Sequence, residues 1–271
     1  MSERRQSIEK ALKVLRSNVL PLNSYKAVVP HPSYYPWVYC WDTALHVMAL
    51  SYVDAELAKE NVDALLSFQR ADGMIPNAPT SKDDQDMRSQ PPLIVHAVRR
   101  YVEVTGDYQS ARRWFEGLLK YHMWWRRVGV HPEAPHALAS PFTGTRVETD
   151  LTAYWAVCST GMDNHAVYDK TEGRLLLHNN YYYLPMEDLL INSMLAESAR
   201  SLVTIAEWVG RMDEVDAMSE EYRIISRKVE QFMWDEESGF YYPCSFKEKR
   251  IAVKSCQTFA PLLAGISSHD R

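Results

Sequence analysis

The chain has 271 residues, of which 46% are apolar and 24% are charged. That balance is typical of a globular protein and excludes an intrinsically disordered chain. Thirty Lys and Arg against 35 Asp and Glu give a net charge of −5, so no basic excess indicates nucleic acid or an anionic membrane as a partner. Ten glycines against 14 prolines argue against a fold with many tight glycine turns and favour helices.

The N-terminal residues are charged and then amphipathic, without the apolar core and small-residue cleavage site of a secretory signal. No apolar run approaches the roughly 20 residues that span a bilayer. The four cysteines are scattered without a CxxC pair, so the sequence predicts reduced thiols and a cytoplasmic location. These cysteines are Cys40, Cys158, Cys244 and Cys256.

Helical periodicity predicts about nine helices in a single all-α domain that covers residues 1–271. Asp42 is expected to be the N-cap of a helix from 43 to 50, and Asp54 the N-cap of the next. Residues 129–180 read as irregular, and the one expected strand is short, at 240–242. The remaining helices are expected at 8–19, 91–105, 108–128, 186–209, 212–233 and 255–264.

Three predicted loops, 34–42, 69–92 and 155–169, combine aromatic side chains with carboxylates and amides. Loops on a rigid scaffold commonly carry binding and catalytic groups. An aromatic face can stack on the CH face of a sugar, while Asp, Asn and Gln pair with its hydroxyls. The composition of these loops therefore favours a carbohydrate ligand.

The order of motifs from about residue 30 to 266 resembles glycoside hydrolase family 63. That family includes processing α-glucosidases and mannosylglycerate hydrolase, with trehalases as more distant relatives. Each motif is weak alone, but their order together is fairly specific. The motifs are Tyr39-x-Trp41-Asp42, Gln69, Asp72-Gly73-Met74-Ile75-Pro76-Asn77, Gln90-Pro91-Pro92 and Gly161-Met162-Asp163-Asn164.

The resemblance implies an (α/α)6 toroid with its active site at one end of the inner helices, and hydrolysis of an α-linked glucoside or mannoside with inversion. In such chemistry, one carboxyl group protonates the leaving oxygen and a second carboxylate activates water. Matched motif to motif, Asp163 falls at the general acid, and Trp41 and Asp42 at the residues that hold the sugar. The residues that would help line this subsite are Tyr39, Asn77, Gln90 and Asn164.

The sequence departs from the family pattern in ways that bear on which sugar is bound. His165 stands where Ser commonly follows the Asp-Asn pair, and Ser159-Thr160 stand where Glu-Ser is common. Asn77 replaces a His that some members have. The histidines lack metal-ligand spacing, so no metal and no cofactor are expected.

Length is the larger departure, because twelve helices need on the order of 300–400 residues. The family's general base lies in the second half of the toroid, so we expect this chain to be an N-terminal portion that lacks the base. Exposed inner-helix surface would then favour self-association or a completing partner chain.

Simpler interpretations stand beside these. Asp42 is equally explained as a helix N-cap, and Asp163 as part of an Asx-turn. Trp124 and Trp125 are expected to be core residues, since neighbours on a helix point about 100° apart. A non-catalytic carbohydrate-binding or scaffold protein on the same fold is the alternative function, and a debranching-type glucosidase or a phosphorylase is a third.

Overall fold

The structure is a computed structural model, and it describes residues 3–79, 88–135, 139–142, 165–170, 176–178 and 181–267. Helices dominate this part of the chain. They are α1 (Glu3–Ser17), α2 (Cys40–Leu50), α3 (Ala55–Ser67), α4 (Leu93–Thr105), α5 (Tyr108–Val128), α6 (Ala166–Asp169), α7 (Leu189–Val209), α8 (Met212–Lys228) and α9 (Ala260–Leu263). A π-helical turn, Val229–Met233, extends α8, and a 3₁₀ turn, Cys256–Phe259, precedes α9.

Local capping explains several helix boundaries that the sequence predicts. The Asp54 carboxylate accepts a hydrogen bond from the Leu57 amide at 3.2 Å, which confirms Asp54 as the N-cap of α3. Gly106 ends α4 in the left-handed conformation at φ 72°, which is easily reached without a Cβ atom. The expectation that Asp42 is an N-cap is wrong, because α2 begins at Cys40 with Tyr39 at the N-cap.

Short strands add to the helices, so the expectation of a single short strand is wrong, although the described chain is helix-rich as expected. The expected strand is present as β7 (Phe240–Tyr241), which pairs with β6 (Trp234–Asp235). Two antiparallel sheets were not expected. One pairs β1 (Val19–Leu22) with β2 (Tyr25–Val28), and the other pairs β5 (Tyr181–Glu187) with β3 (Ala139–Phe142), β4 (Leu176–His178) and β8 (Cys244–Ser245).

Strand β5 also moves a helix boundary. The apolar pattern predicts a helix from residue 186, but β5 continues through Glu187 and α7 begins at Leu189. Met186 and Glu187 pair with Ser245 and Cys244 of β8. This pairing is between residues distant in sequence, so helical periodicity does not reveal it.

The helices pack as three hairpins, α2 with α3, α4 with α5 and α7 with α8. Helix α4 lies between α2 and α7, and α5 also packs against α7. The core contains Trp124 and Trp125 of α5, both almost inaccessible to solvent, which confirms the expectation that they are core residues. The chain is thus helix-rich around one main apolar core.

The first helices of the three hairpins run parallel. The Cys40 thiol lies 3.9 Å from the Pro91 carbonyl oxygen at one end of α2, while Arg100 donates to the Tyr52 hydroxyl at 3.1 Å at the other. The contacts between α4 and α7 follow the same order. His96 contacts Glu197, and further along both helices Arg99 contacts Ser201. Helices α2, α4 and α7 therefore begin at the same end of the bundle, named the amino end below.

Within the residues described above, no helix is both long and apolar enough to cross a bilayer.

Candidate functional site

The first turn of α2 places two of the expected sugar-binding residues at the amino end. Trp41 and Asp42 are the second and third residues of α2, and both side chains are partly accessible to solvent. The N-cap residue Tyr39 makes no capping hydrogen bond with its side chain. Asp42 lies where the helix dipole favours a negative charge.

Gln90, in the segment that precedes α4, forms a hydrogen bond with this first turn of α2. Its side-chain Oε1 accepts a hydrogen bond from the Trp41 backbone amide at 2.9 Å. The first amides of a helix have no partner within the helix, so Gln90 supplies one from a segment 49 residues away. The structure therefore brings together the expected residues Trp41 and Gln90, with Asp42 next in the chain.

Two side chains of helix α5 hold the backbone of Gln90. The Gln90 carbonyl oxygen accepts hydrogen bonds from the Tyr121 hydroxyl and, at 3.1 Å, from the Trp125 indole. The preceding Ser89 hydroxyl donates to the Ile75 carbonyl oxygen at 2.7 Å. The loops around 75 and 90 are thus joined to each other and to a rigid helix, as a preorganised site requires.

The turn at residues 69–77 is held on α5 in the same way. The Gln69 side-chain amide donates to the Gly73 carbonyl oxygen at 2.9 Å and to the Gly117 carbonyl oxygen at 2.8 Å. Gly73 has φ +98°, and a Cβ atom there would collide with the backbone carbonyl of Lys120. Two residues of this family motif, Gln69 and Gly73, therefore have structural roles.

Asn77 ends that turn and is 92% buried. Its backbone amide donates to the Arg88 carbonyl oxygen at 2.8 Å, which fixes its position. Its side-chain Oδ1 is buried and accepts no hydrogen bond from the described residues. A buried amide oxygen without a donor costs free energy, and a sugar hydroxyl would supply the missing hydrogen.

Asp163 and Asn164, the expected general acid and its neighbour, lie outside the described residues. The next described residue is His165, which caps α6 by accepting from the Val167 amide at 3.2 Å. His165 Nε2 lies 2.6 Å from the Ser255 hydroxyl. The histidine two positions after the expected acid is therefore attached to the segment that leads into α9.

Sequence reasoning missed a buried carboxyl group at the amino end. Asp188 is the N-cap of α7, fully buried, and accepts hydrogen bonds from the Ile191 amide and from Gln257. Burial raises the pKa of Asp188 to about 6. An Asp immediately before an apolar helix is a recognisable cap signal, but nothing local in the sequence indicates its contact with Gln257.

Deeper along the parallel helices, a buried ion network connects α4 to α7. Glu197 is 99% buried and lies within hydrogen-bond distance of His96, Arg99, Arg200 and Ser201. Burial alone would raise the pKa of Glu197, but the hydrogen bond with His96 and the charge of Arg200 outweigh it and hold this pKa below its ordinary value. The network therefore holds α4 against α7, further along these helices than the candidate site.

The comparisons with known proteins agree with the expected family. The family model for the mannosylglycerate hydrolase MGH1-like glycoside hydrolase domain matches residues 35–271. Mannosylglycerate hydrolase MGH2 of Selaginella moellendorffii is 28% identical over 192 residues, which cover 63% of this chain and 36% of that protein. The mannosylglycerate hydrolase of Thermus thermophilus is 24% identical, covering 93% of this chain and 74% of that protein.

Solved structures share the fold. The family 63 mannosylglycerate hydrolase from Thermus thermophilus in complex with glucose has a TM-score of 0.74 at 21% identity, covering 96% of this chain and 72% of that one. The neutral trehalase of Saccharomyces cerevisiae has a TM-score of 0.61 at 16% identity, covering 91% of this chain and 53% of that one. The chain thus spans about a third of the plant relative and about three quarters of the bacterial one.

Proposed function

Because this chain belongs to the family of mannosylglycerate hydrolase MGH1-like glycoside hydrolases, we propose that it serves the hydrolysis of an α-linked glucoside or mannoside with inversion. The observation that carries the proposal is the set of polar and aromatic side chains that meet at the amino end. There Trp41 and Asp42 occupy the first turn of α2, and Gln90 bonds to the Trp41 amide. The Asn77 side-chain oxygen adds an acceptor without a donor among the described residues.

The proposed architecture is a single (α/α)6 toroid, of which α2, α4 and α7 are inner helices. Three observations support it. These helices are parallel neighbours, each is followed by a helix that packs against it, and trehalase-like and family 63 structures share the fold. A sugar would enter at the amino end, where side chains of separate hairpins meet.

In the proposed reaction, the Asp163 carboxyl gives its proton to the glycosidic oxygen as the bond from that oxygen to the anomeric carbon breaks. A water molecule attacks that carbon from the opposite ring face and gives a proton to a second carboxylate. Trp41 would stack on the sugar ring, and Asp42 would accept hydrogen bonds from its hydroxyls. Tyr39, Asn77, Gln90 and Asn164 complete the proposed subsite. The family resemblance implies that this second carboxylate, the general base, lies in the second half of the toroid.

The first substrate to test is α-mannosylglycerate, because the relatives named above are mannosylglycerate hydrolases. We predict that the full-length enzyme releases free sugar from it and that Asp163→Asn lowers kcat by about 10²–10⁴-fold, the usual contribution of general acid–base catalysis. Product release by chromatography measures the rate, and calorimetry measures binding, which Asp163→Asn should leave largely intact.

Asp213→Asn is the matched control, since Asp213 is an exposed residue of α8. Wild-type turnover by Asp163→Asn would contradict the acid assignment. Binding of the sugar without any product from the wild-type enzyme would favour a non-catalytic carbohydrate-binding protein instead. A rate that depends on phosphate would indicate a phosphorylase.

A further inference from the structure

Two buried acceptor atoms of the amino end lack donors among the described residues, and they belong to side chains that already touch. The Gln257 side-chain amide nitrogen donates to Asp188 Oδ1 at 3.2 Å. The remaining oxygens, Asp188 Oδ2 and Gln257 Oε1, are buried and form no hydrogen bond with the described residues. Both residues are at least 98% buried, so bulk water does not compensate them, and unpaired buried oxygens are costly.

One proton satisfies both atoms at once. A protonated carboxyl has one O–H donor, and a primary amide has both a donor and an acceptor. We propose that Asp188 is protonated on Oδ2 and donates to Gln257 Oε1, which closes a cyclic acid–amide pair with the bond already present. At a pH below the pKa of Asp188, the buried carboxyl then carries no charge.

The surroundings of Asp188 act in opposite directions, because burial favours the neutral carboxyl and the hydrogen-bond donors around it favour the carboxylate. The groups that face it are the backbone amides of Leu190 and Ile191 on α7, Gln257, and the Tyr168 hydroxyl of α6. Two further titratable groups lie close in the structure or the chain, Glu187 at the preceding position and His165 beyond Ser255. Burial is the dominant influence and raises the pKa of Asp188 to about 6, so the proton is retained below about pH 6.

The pair also holds the segment next to Asp163. The Gln257 backbone amide donates to the Ser255 hydroxyl oxygen at 3.2 Å, and that oxygen lies 2.6 Å from His165 Nε2. Because His165 Nδ1 accepts from the Val167 amide, the ring hydrogen is on Nε2 and is donated to Ser255. Burial lowers the pKa of His165, which favours this neutral form.

Asp188 and Gln257 are therefore positioning residues for the proposed general acid, which lies two positions before His165. This part rests on the proposed function, whereas protonation of the pair does not. Loss of the shared proton would place the Asp188 carboxylate against the side-chain oxygen of Gln257. Repulsion between them would weaken the contact that holds the Ser255 segment to α7.

Asp188→Asn tests the pair, because an asparagine amide caps the helix and makes both bonds to Gln257 without a titrating proton. The folded-state pKa of Asp188 is raised from 3.8 to about 6, so its stabilising effect is lost as pH rises through that value. Between about pH 5 and pH 8, the folding constant of the wild type should fall roughly tenfold relative to that of Asp188→Asn. Denaturant unfolding of the purified protein at both pH values measures this ratio.

Asp54→Asn is the matched control, since Asp54 caps α3 through the Leu57 amide and should show no such gain at pH 8. An equal stability difference for Asp188→Asn at both pH values would overturn the shared proton. So would an infrared spectrum at pH 5 in which Asp188→Asn removes no protonated-carboxyl band.

Activity distinguishes the positioning role. In the full-length enzyme, Asp188→Asn should keep relatively more of its kcat above pH 6 than the wild type does, with KM little changed. An unaltered pH profile would contradict positioning while leaving the proton pair intact. Absence of hydrolysis in every variant would count against the proposed function alone, since the unfolding and infrared results do not depend on it.

Discussion

Gly73 shows how one residue can be fixed by two separate constraints. Its backbone has φ +98°, and a side chain there would meet the Lys120 carbonyl. Left-handed backbone costs other residues roughly 1–2 kcal/mol, and a steric collision with a well-packed backbone adds about 1–3 kcal/mol. The turn that leads to Asn77 depends on both constraints being met.

We predict that Gly73→Ala destabilises the protein by more than Gly106→Ala does, by about 1–3 kcal/mol. Gly106 is the matched control, because it has φ +72° but no heavy atom within 4 Å of an added Cβ. Both variants strain the backbone conformation, and only Gly73→Ala adds the collision. Chemical denaturation measures the difference, and equal losses would contradict the close approach of the turn to α5.

At the scale of elements, Glu197 connects the two neighbouring helices α4 and α7. Arg200 extends the network to α9 through the Leu263 carbonyl oxygen at 3.0 Å. Removal of one partner from a buried ion pair leaves uncompensated charge, which typically costs about 3–5 kcal/mol. Exposed pairs contribute only about 0–1 kcal/mol.

We therefore predict a loss of about 3–5 kcal/mol for Glu197→Gln. Glu103→Gln, which removes a more exposed partner of Arg99 and Arg100, should cost no more than about 1 kcal/mol. Because the folded-state pKa of Glu197 lies below its ordinary value of 4.5, its contribution is present above that value and is lost as pH falls through the folded-state pKa. Urea unfolding of both variants at neutral and acidic pH measures these losses. Similar losses in the two variants would show that the network adds no more than a surface pair.

The elements differ in how far the sequence predicts them. The bounds of α5 and the cap of α3 follow from local signals, an aspartate before an amphipathic run. Strand β5 does not, since its partners include residues near 140 and 245. The same reason hides the Asp188–Gln257 contact, which joins residues 69 positions apart.

At the scale of the whole molecule, the family motifs and the fold support one another. Motif residues far apart in sequence, such as Trp41, Gln69 and Gln90, lie in segments that α5 and the start of α2 bring together. Motif order alone suggested a sugar-binding role for Gln90. The structure adds that the Gln90 side-chain oxygen accepts a hydrogen bond from the Trp41 backbone amide, and that its carbonyl oxygen accepts one from the Trp125 indole. The roles of Asp163 and Asn164 stay predictions, because neither residue is among those that the structure describes.

The central claim is that a sugar binds at the amino end of the parallel helices. Titration of the tryptophan indole N–H resonances with α-mannosylglycerate tests it most directly by NMR. We predict that the Trp41 resonance shifts to saturation, whereas the Trp114 resonance, whose indole donates to Asp63 of α3 at 2.6 Å, stays in place. Saturable binding that moves Trp114 and leaves Trp41 unchanged would contradict the account.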